Sequence, residues 1–235
     1  MARVLRLPER LLAVAEFIEK GAAVADIGTD HGYLPVYLAQ NGLARFIIAS
    51  DISAGSLKSA LRSATDYGVA DKITFIAAPG LQGVSDTEVD TVVVAGLGGE
   101  TIADILISSP WTKNRDARLI LQPQSKKIEL CAFLLENGYC LLDARLACDN
   151  NRFYVVLLVK GGKSDSMLAP EAELLARLVY RRDPLFLDYL DDLSVKTNRA
   201  LSGMKKSGAP GIINMLMKLA LYDALKEEYE NANDK

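Results

Sequence analysis

The sequence predicts an α/β fold: a mostly parallel sheet with one antiparallel strand, followed by a C-terminal helical hairpin. Three observations carry that prediction. Up to residue 162, short apolar runs alternate with helical segments, the pattern of βα units in a parallel sheet. One run, residues 89–95, is largely β-branched and apolar, as a strand covered on both faces should be. Past residue 162 strand-like runs give way to near-heptad spacing.

Taken in order, residues 7–20 read as an amphipathic helix with Leu7, Leu11, Val14, Ala15 and Ile18 on one face and Gly21 as its stop. Arg3, Arg6 and Arg10 give its start a basic edge. The first strand, residues 24–27, carries one acid, Asp26, and ends at Gly28. A turn leads to Gly32, which opens a helix over residues 33–40 closed by Asn41-Gly42. Strand two, residues 46–50, is closed by Asp51, and residues 56–67 form the next helix. Residues 73–77 are strand three, before Ala78-Pro79-Gly80-Leu81. Strand four runs into Gly96-Leu97-Gly98-Gly99, read as a tight turn or a backbone pressed against a ligand. A helix over residues 100–107 follows. Strand five, residues 118–121, precedes Gln122-Pro123-Gln124, and residues 126–137 are helical with Gly138 as cap. Strands over residues 139–146 and 153–160 flank Asp149-Asn150-Asn151, a hairpin turn that supplies the antiparallel strand.

Gly161-Gly162-Lys163-Ser164-Asp165-Ser166 is flexible in composition and sets the expected domains at residues 1–162 and 163–235. Residues 171–181 read as one helix. Leu190, Leu193, Thr197, Leu201 and Met204 then match Ile212, Leu216 and Leu219 across Ser207-Gly208-Ala209-Pro210-Gly211, the pattern of an antiparallel coiled coil. Residues 193–222 contain no acid, while Lys196, Arg199, Lys205, Lys206 and Lys218 are basic. Such a run reads as a solvated face or as a grip on a phosphate backbone, and both readings stand at this point. A monomer and a coiled-coil dimer likewise both stand.

A formal net charge of −3 gives no global field toward nucleic acid or an acidic membrane, so any RNA contact must be local. The three cysteines, Cys131, Cys140 and Cys148, form no C-x-x-C pair, which suggests a reducing compartment and neither a disulfide frame nor a metal site. No stretch approaches a spanning helix, and acids interrupt the N-terminal segment, so a cytoplasmic protein without membrane contact is expected.

The chemistry concentrates in Asp26-Ile-Gly28-Thr-Asp30-His31-Gly32. Glycine lets backbone approach a ligand, and a helix start presents unpaired N–H groups. The spacing is not the dinucleotide fingerprint G-x-G-x-x-G, which weighs against a nicotinamide dehydrogenase. It is closer to the acid-and-glycine loop that holds S-adenosylmethionine, with Asp30 where the common form has glycine. Asp30 is then either a carboxylate at the mouth of a pocket or the cap of the following helix. Asp51 is either the acceptor of two ribose hydroxyls or the cap of the helix after it.

With Leu7-Pro8-Glu9-Arg10-Leu11, the loop through Tyr33-Leu34-Pro35, Asp51, Gly96-Leu97-Gly98-Gly99, Leu119-Ile120-Leu121-Gln122-Pro123 and Tyr154 in view, residues 1–160 resemble a known family. They are similar to the bacterial S-adenosylmethionine-dependent methyltransferases that modify N1 of adenine 22 in tRNA, the TrmK family. The resemblance implies a Rossmann-like class I methyltransferase sheet, S-adenosylmethionine as cofactor and tRNA as partner. It implies cofactor contacts from Asp26, Gly28, Asp30, His31, Gly32, Asp51, Ile52, Gly80 and Gly96. Asp30 is the candidate catalytic group; His31 orients it or is a structural loop residue. Substrate contacts are expected from Arg10, Gly98, Gly99, Gln122, Pro123 and Tyr154, and from Lys196, Arg199, Lys205 and Lys206 of the tail. The chain departs from the family at Pro79 for an acid, Leu97 for methionine, Gln124 for asparagine and Val155 for glutamate. Two alternatives stand beside it: a methyltransferase acting on a small molecule or a protein, and a non-catalytic nucleoside- or RNA-binding relative.

Overall fold

Pro8 decides where the first helix starts. It sits extended (φ −63°, ψ 152°) before α1, Glu9–Ala15, and its carbonyl accepts from the Leu11 and Leu12 N–H groups. The structure, a computed structural model, describes residues 4–114, 116–164, 166–207 and 210–233. Arg3, Asp165, Gly208 and Ala209, used in the sequence reading, lie outside the described residues. The first helix is shorter than the expected 7–20. Beyond Ala15 the Phe17 and Ile18 N–H groups reach back three residues, to Val14 and Ala15, so the chain tightens into turns. The apolar spacing persisted through Ile18 because the turn packs on the same core that α1 does. Ion pairs from Arg145 to Glu16 and from Arg118 to Glu19 (2.8 Å) tie this turn to the sheet.

Seven strands follow: β1 Ala22–Ile27, β2 Ala44–Asp51, β3 Thr74–Ala77, β4 Thr91–Gly98, β5 Arg118–Ser125, β6 Tyr139–Asp149 and β7 Arg152–Gly161. Their order is β3-β2-β1-β4-β5-β7-β6, with β7 antiparallel to both of its neighbours. The single antiparallel strand arises from the hairpin at Asn150 and Asn151. Both have positive φ (49° and 57°), the two-residue geometry that matches strand twist and that asparagine tolerates. Helices α2 Tyr33–Gln40, α3 Ala54–Asp66, α4 Gly99–Ile107, α5 Trp111–Asn114 and α6 Lys127–Glu136 connect or flank the strands. β1 is buried along its whole length, and Val24, Val93, Ile120 and Val156 from four adjacent strands share one apolar cluster. The order reverses between β1 and β4, which places a crevice at the carboxyl ends of those strands.

Two segments differ from the sequence reading. Gly96-Leu97-Gly98 is not a turn: β4 continues through it, pairing Leu97 with Pro123 and Gly98 with Ser125 after register shifts. Gln122-Pro123-Gln124 therefore lies within β5. Proline and clustered glycine ordinarily end strands; here they meet where the ladder is irregular, which removes the conflict.

By contacts the chain divides into two units, residues 1–174 and 175–235. The first takes in the 161–166 stretch and the start of α7, Pro170–Arg181. Gly161 itself belongs to β7, paired with Tyr139. The second unit contains α8 Phe186–Ser207 and α9 Ile212–Asn233, packed antiparallel. Near one end Lys226 pairs with Asp191 (2.6 Å), and the Tyr229 hydroxyl donates to the Asp183 carbonyl (2.8 Å). On α8, Leu190, Leu193, Thr197, Leu201 and Met204 are buried or half-buried, as their spacing predicts. On α9 the inward stripe runs through Ile212, Met215, Leu219, Tyr222 and Tyr229. Leu216, read as inward-facing, is 47% exposed. The stripe steps by three before four, so Met215 takes the place given to Leu216. No helix among the described residues is long and apolar enough to cross a membrane.

The close seat of α5 on β7 gives a stability test. A Cβ on Gly161 would collide with the Lys113 carbonyl. Gly161→Ala is expected to lower stability by about 1–3 kcal/mol, the cost of inserting a methyl group into a filled site. Urea titration should show a lower midpoint at unchanged slope.

Candidate active site

The site is built on the loop that leaves β1. Gly28, Asp30 and Gly32 alternate in the left-handed region (φ 74°, 50° and 68°), and the loop is tied to β2 by the Gly28 and Thr29 N–H groups, which both donate to the Ser50 carbonyl (2.8 and 3.0 Å). Aspartate is among the few side-chain-bearing residues that adopt this conformation readily, which is how Asp30 occupies a glycine position. Gly32 is required for another reason: a Cβ there would lie 2.8 Å from Ala60 Cβ in α3. α2 begins at Gly32 without a side-chain cap, so Asp30 does not cap it. The Asp30 side chain is 70% exposed, on the wall of the crevice, with His31 Nε2 3.7 Å from its Oδ2.

Asp51, at the end of β2, joins the loop to the next helix. Its Oδ2 accepts from the Asp30 N–H (3.2 Å) and its Oδ1 from the Ser53 N–H (2.8 Å). The cap of α3 is Ser53, whose Oγ accepts from the Ser56 N–H (3.2 Å), so Asp51 is not the cap. Each Asp51 oxygen keeps a lone pair available to a ligand hydroxyl.

Asp26 forms the floor. It is 5% exposed and accepts a 2.7 Å hydrogen bond from the Thr29 hydroxyl. Burial pushes its carboxyl up to about 6; the Thr29 hydrogen bond opposes the rise and the nearby Asp51 charge adds to it.

These groups bound a cavity of 660 Å³. Of the residues expected from sequence, Arg10, Asp26, Gly28, Asp30, His31, Asp51, Ile52, Gly80 and Gly96 line it. Gly32, Gly98, Gly99, Gln122, Pro123 and Tyr154 are not on its wall. Gly98 precedes α4, and a Cβ on Gly99 would lie 2.5 Å from the Lys126 carbonyl oxygen, so Gly99 serves helix-to-strand packing. The Gln122 side chain is fully buried and donates to the Pro123 carbonyl (3.2 Å); Gln124 lines the cavity instead. Tyr154 packs on the core, with the Arg152 guanidinium 5.2 Å from its ring centre. Arg152 also donates to the Gln124 carbonyl (3.2 Å), and the Arg10 N–H donates to Asp149 (3.2 Å). The β6–β7 hairpin thus braces the Arg10–Gln124 side of the cavity. Lys196, Arg199, Lys205 and Lys206 lie on α8 in the second unit, Lys196 paired with Asp192 (2.6 Å).

The structure adds residues to which the sequence assigned no site role. Tyr33 lines the cavity and stacks on His31 at 5.5 Å between ring centres. Thr101, Asp104, Ile105 and Ser108 line it from α4 and its end. Their spacing of three and four marks one helical face, a signal present in the sequence once the helix is known to border a site.

Fold and site together define a methyltransferase of the nucleoside-cofactor type, and residues 7–157 match a family described as a methyltransferase domain. The tRNA (adenine(22)-N(1))-methyltransferase of Bacillus subtilis (strain 168) is 36% identical over 162 residues, covering 69% of this chain and 68% of that protein. The crystal structure of the B. subtilis m1A22 tRNA methyltransferase TrmK superposes with a TM-score of 0.80 at 28% identity, covering 94% of this chain and 99% of that one. A Streptococcus pneumoniae structure in complex with S-adenosyl-L-methionine gives 0.79 at 27% identity, with the same two coverages, 94% and 99%. M. capricolum TrmK in complex with S-adenosyl-homocysteine gives 0.72 at 25%, covering 95% and 98%. The chain belongs to the tRNA (adenine(22)-N(1))-methyltransferase family.

The buried Asp26 makes a pH-dependent prediction. Because its carboxyl is raised from 3.8 to about 6, its contribution favours the folded state fully below about pH 4 and is lost as pH rises through 6. Asp26→Asn removes that loss. The variant should be more stable than wild type at pH 8, on the order of 3 kcal/mol, and the gap should narrow as pH falls from 7 to 5. Urea midpoints across that range measure it.

Proposed function

We propose that residues 1–162 bind S-adenosylmethionine and transfer its methyl group to N1 of adenine 22 in the D-arm of tRNA, and that residues 163–235 recognise the RNA or mediate self-association. The observation that carries this is one cavity with two acids at strand ends, Asp26 and Asp51, and a third carboxylate, Asp30, at its mouth. The residues fit a sulfonium nucleoside. Asp51 offers acceptors to ribose hydroxyls, Gly28 lets the backbone of the loop approach the ligand, and Ile52 and Leu81 offer apolar walls. The volume is that of a small-molecule site. S-adenosylmethionine, when bound, supplies an electrophilic methyl group.

The chain's own work is positioning. Adenine N1 has a free lone pair at neutral pH, so no base need act before attack, and alignment provides much of the rate. N-methylation leaves a cationic ring. Asp30 stabilises that charge and accepts the proton of the exocyclic amine. Its exposure before RNA binds means that the RNA completes the exclusion of water around it. N1 is paired inside a helix, so the base must leave its stack, and the His31–Tyr33 pair at the mouth gives it an aromatic edge. Lys196, Arg199, Lys205 and Lys206 of α8 contact the phosphate backbone. The proposed tRNA substrate supports a cytoplasmic protein.

Unmodified tRNA incubated with S-adenosylmethionine and the protein should yield 1-methyladenosine by mass spectrometry; absence of transfer to any adenine would defeat the proposal. Asp30→Asn should lower kcat by about 10²–10⁴ while binding of S-adenosylmethionine persists. Changing Lys205 and Lys206 together to Glu should weaken tRNA binding by tenfold or more at low salt and flatten its salt dependence. Unaltered binding would reduce that face to a solvated surface.

A further inference from the structure

The cavity extends past the ribose-binding acid. Ile52, directly after Asp51, is 75% exposed, a large apolar side chain left in water at the wall. Pro79, Gly80 and Leu81 also line the cavity, and Gly80 sits against Ile105: a Cβ there would be 3.4 Å from Ile105 Cγ1. An apolar slot beside a ribose site suits the flat faces of a purine. The 78–81 segment brings no side-chain acceptor to it.

One carboxylate on the wall is not used by the mechanism. Asp104 projects from α4, one residue before Ile105, and lines the cavity. Its backbone carbonyl accepts from the Ser108 N–H (3.0 Å) and hydroxyl (2.8 Å), but among the described residues its side chain has no hydrogen bond or ion pair. Gln82, Thr101 and Ser108, also on the wall, can donate as well as accept; a carboxylate only accepts. The edge of adenine carries N1 and N3 acceptors and one donor group, the exocyclic amine. Replacing that amine by a keto oxygen sets acceptor against acceptor at that position, and protonates N1, so the only donor left moves one ring atom away.

We propose that Asp104 is the adenine-specificity residue of the cofactor site, its carboxylate accepting from the exocyclic amine while Ile52 and Ile105 hold the ring. The inference rests on the cofactor reading above and assigns it a determinant outside the glycine loop. It makes base selection a property of α4, separate from the acids that hold the ribose and serve the transfer.

The test is calorimetric binding of S-adenosylhomocysteine and S-inosylhomocysteine, its 6-oxo counterpart, to wild type and to Asp104→Asn. Wild type should prefer the 6-amino ligand by about 10- to 100-fold, the range of a charge-assisted hydrogen bond. Asp104→Asn should weaken S-adenosylhomocysteine by about tenfold or more. It should also erase or invert the preference, because the new amide can donate to the keto oxygen. The side chain is exposed, so the urea midpoint of the ligand-free variant should match wild type. If Asp104→Asn keeps both wild-type affinities, this assignment is overturned and the cofactor reading stands. If wild type binds neither ligand, both are overturned.

Discussion

Asp51 holds the site together. One carboxylate at the end of β2 takes the Asp30 N–H on one oxygen and the Ser53 N–H on the other. Three pieces of chain with different partners in the sheet are thereby fixed to a single point: the strand end, the coiled loop after β1, and the entry to α3. Backbone carbonyls take other loop donors, Gly28 and Thr29 reaching Ser50 and Gly32 reaching Thr29, and Asp51 supplies the acceptor for the Asp30 N–H between them. Loop shape and the cavity wall therefore share one side chain. Losing it would alter geometry and affinity together.

The sheet supplies the setting. Parallel β1, β2, β3 and β4 all point their carboxyl ends at the same crevice, and the reversal of order beside β1 opens it. Asp26 is the cost of that arrangement. A carboxylate in the central strand, nearly without solvent, is disfavoured in its charged form, and the Thr29 hydroxyl offsets only part of the penalty. Natural cores place such a group where function needs it and stability does not. On the other flank, the hairpin reaches back through Arg152 and Asp149 to steady Gln124 and Arg10, so that side of the cavity is braced by the β6–β7 hairpin.

Much of this was legible in sequence, for identifiable reasons. Strand positions, the loop and the paired asparagines of the hairpin follow local rules of burial and backbone preference. Residues 96–98 and 122–124 did not, because glycine and proline punctuate strands except where a ladder is already irregular, and irregularity is a property of two strands at once. The α9 stripe slipped from Met215 to Leu216 because two adjacent apolar residues leave the phase undetermined until the partner helix is present. Gly32 and Gly99 lay in glycine-rich motifs that invite a ligand role, yet the closest neighbours of an added Cβ are Ala60 and the Lys126 carbonyl. The α4 residues at the cavity were silent because a helical face declares its neighbours only after folding.

The left-handed backbone at Asp30 also limits what substitution can reveal there. A β-branched or bulky replacement would disturb the coil that Asp51 fastens before its chemistry could be judged, whereas asparagine and glycine keep the torsion and remove the charge. A saturation library at this codon would be sorted first by conformation and only then by the loss of the carboxylate. Tolerance profiles of the loop would thus report two filters superimposed, and comparing aspartate with asparagine or glycine isolates the second.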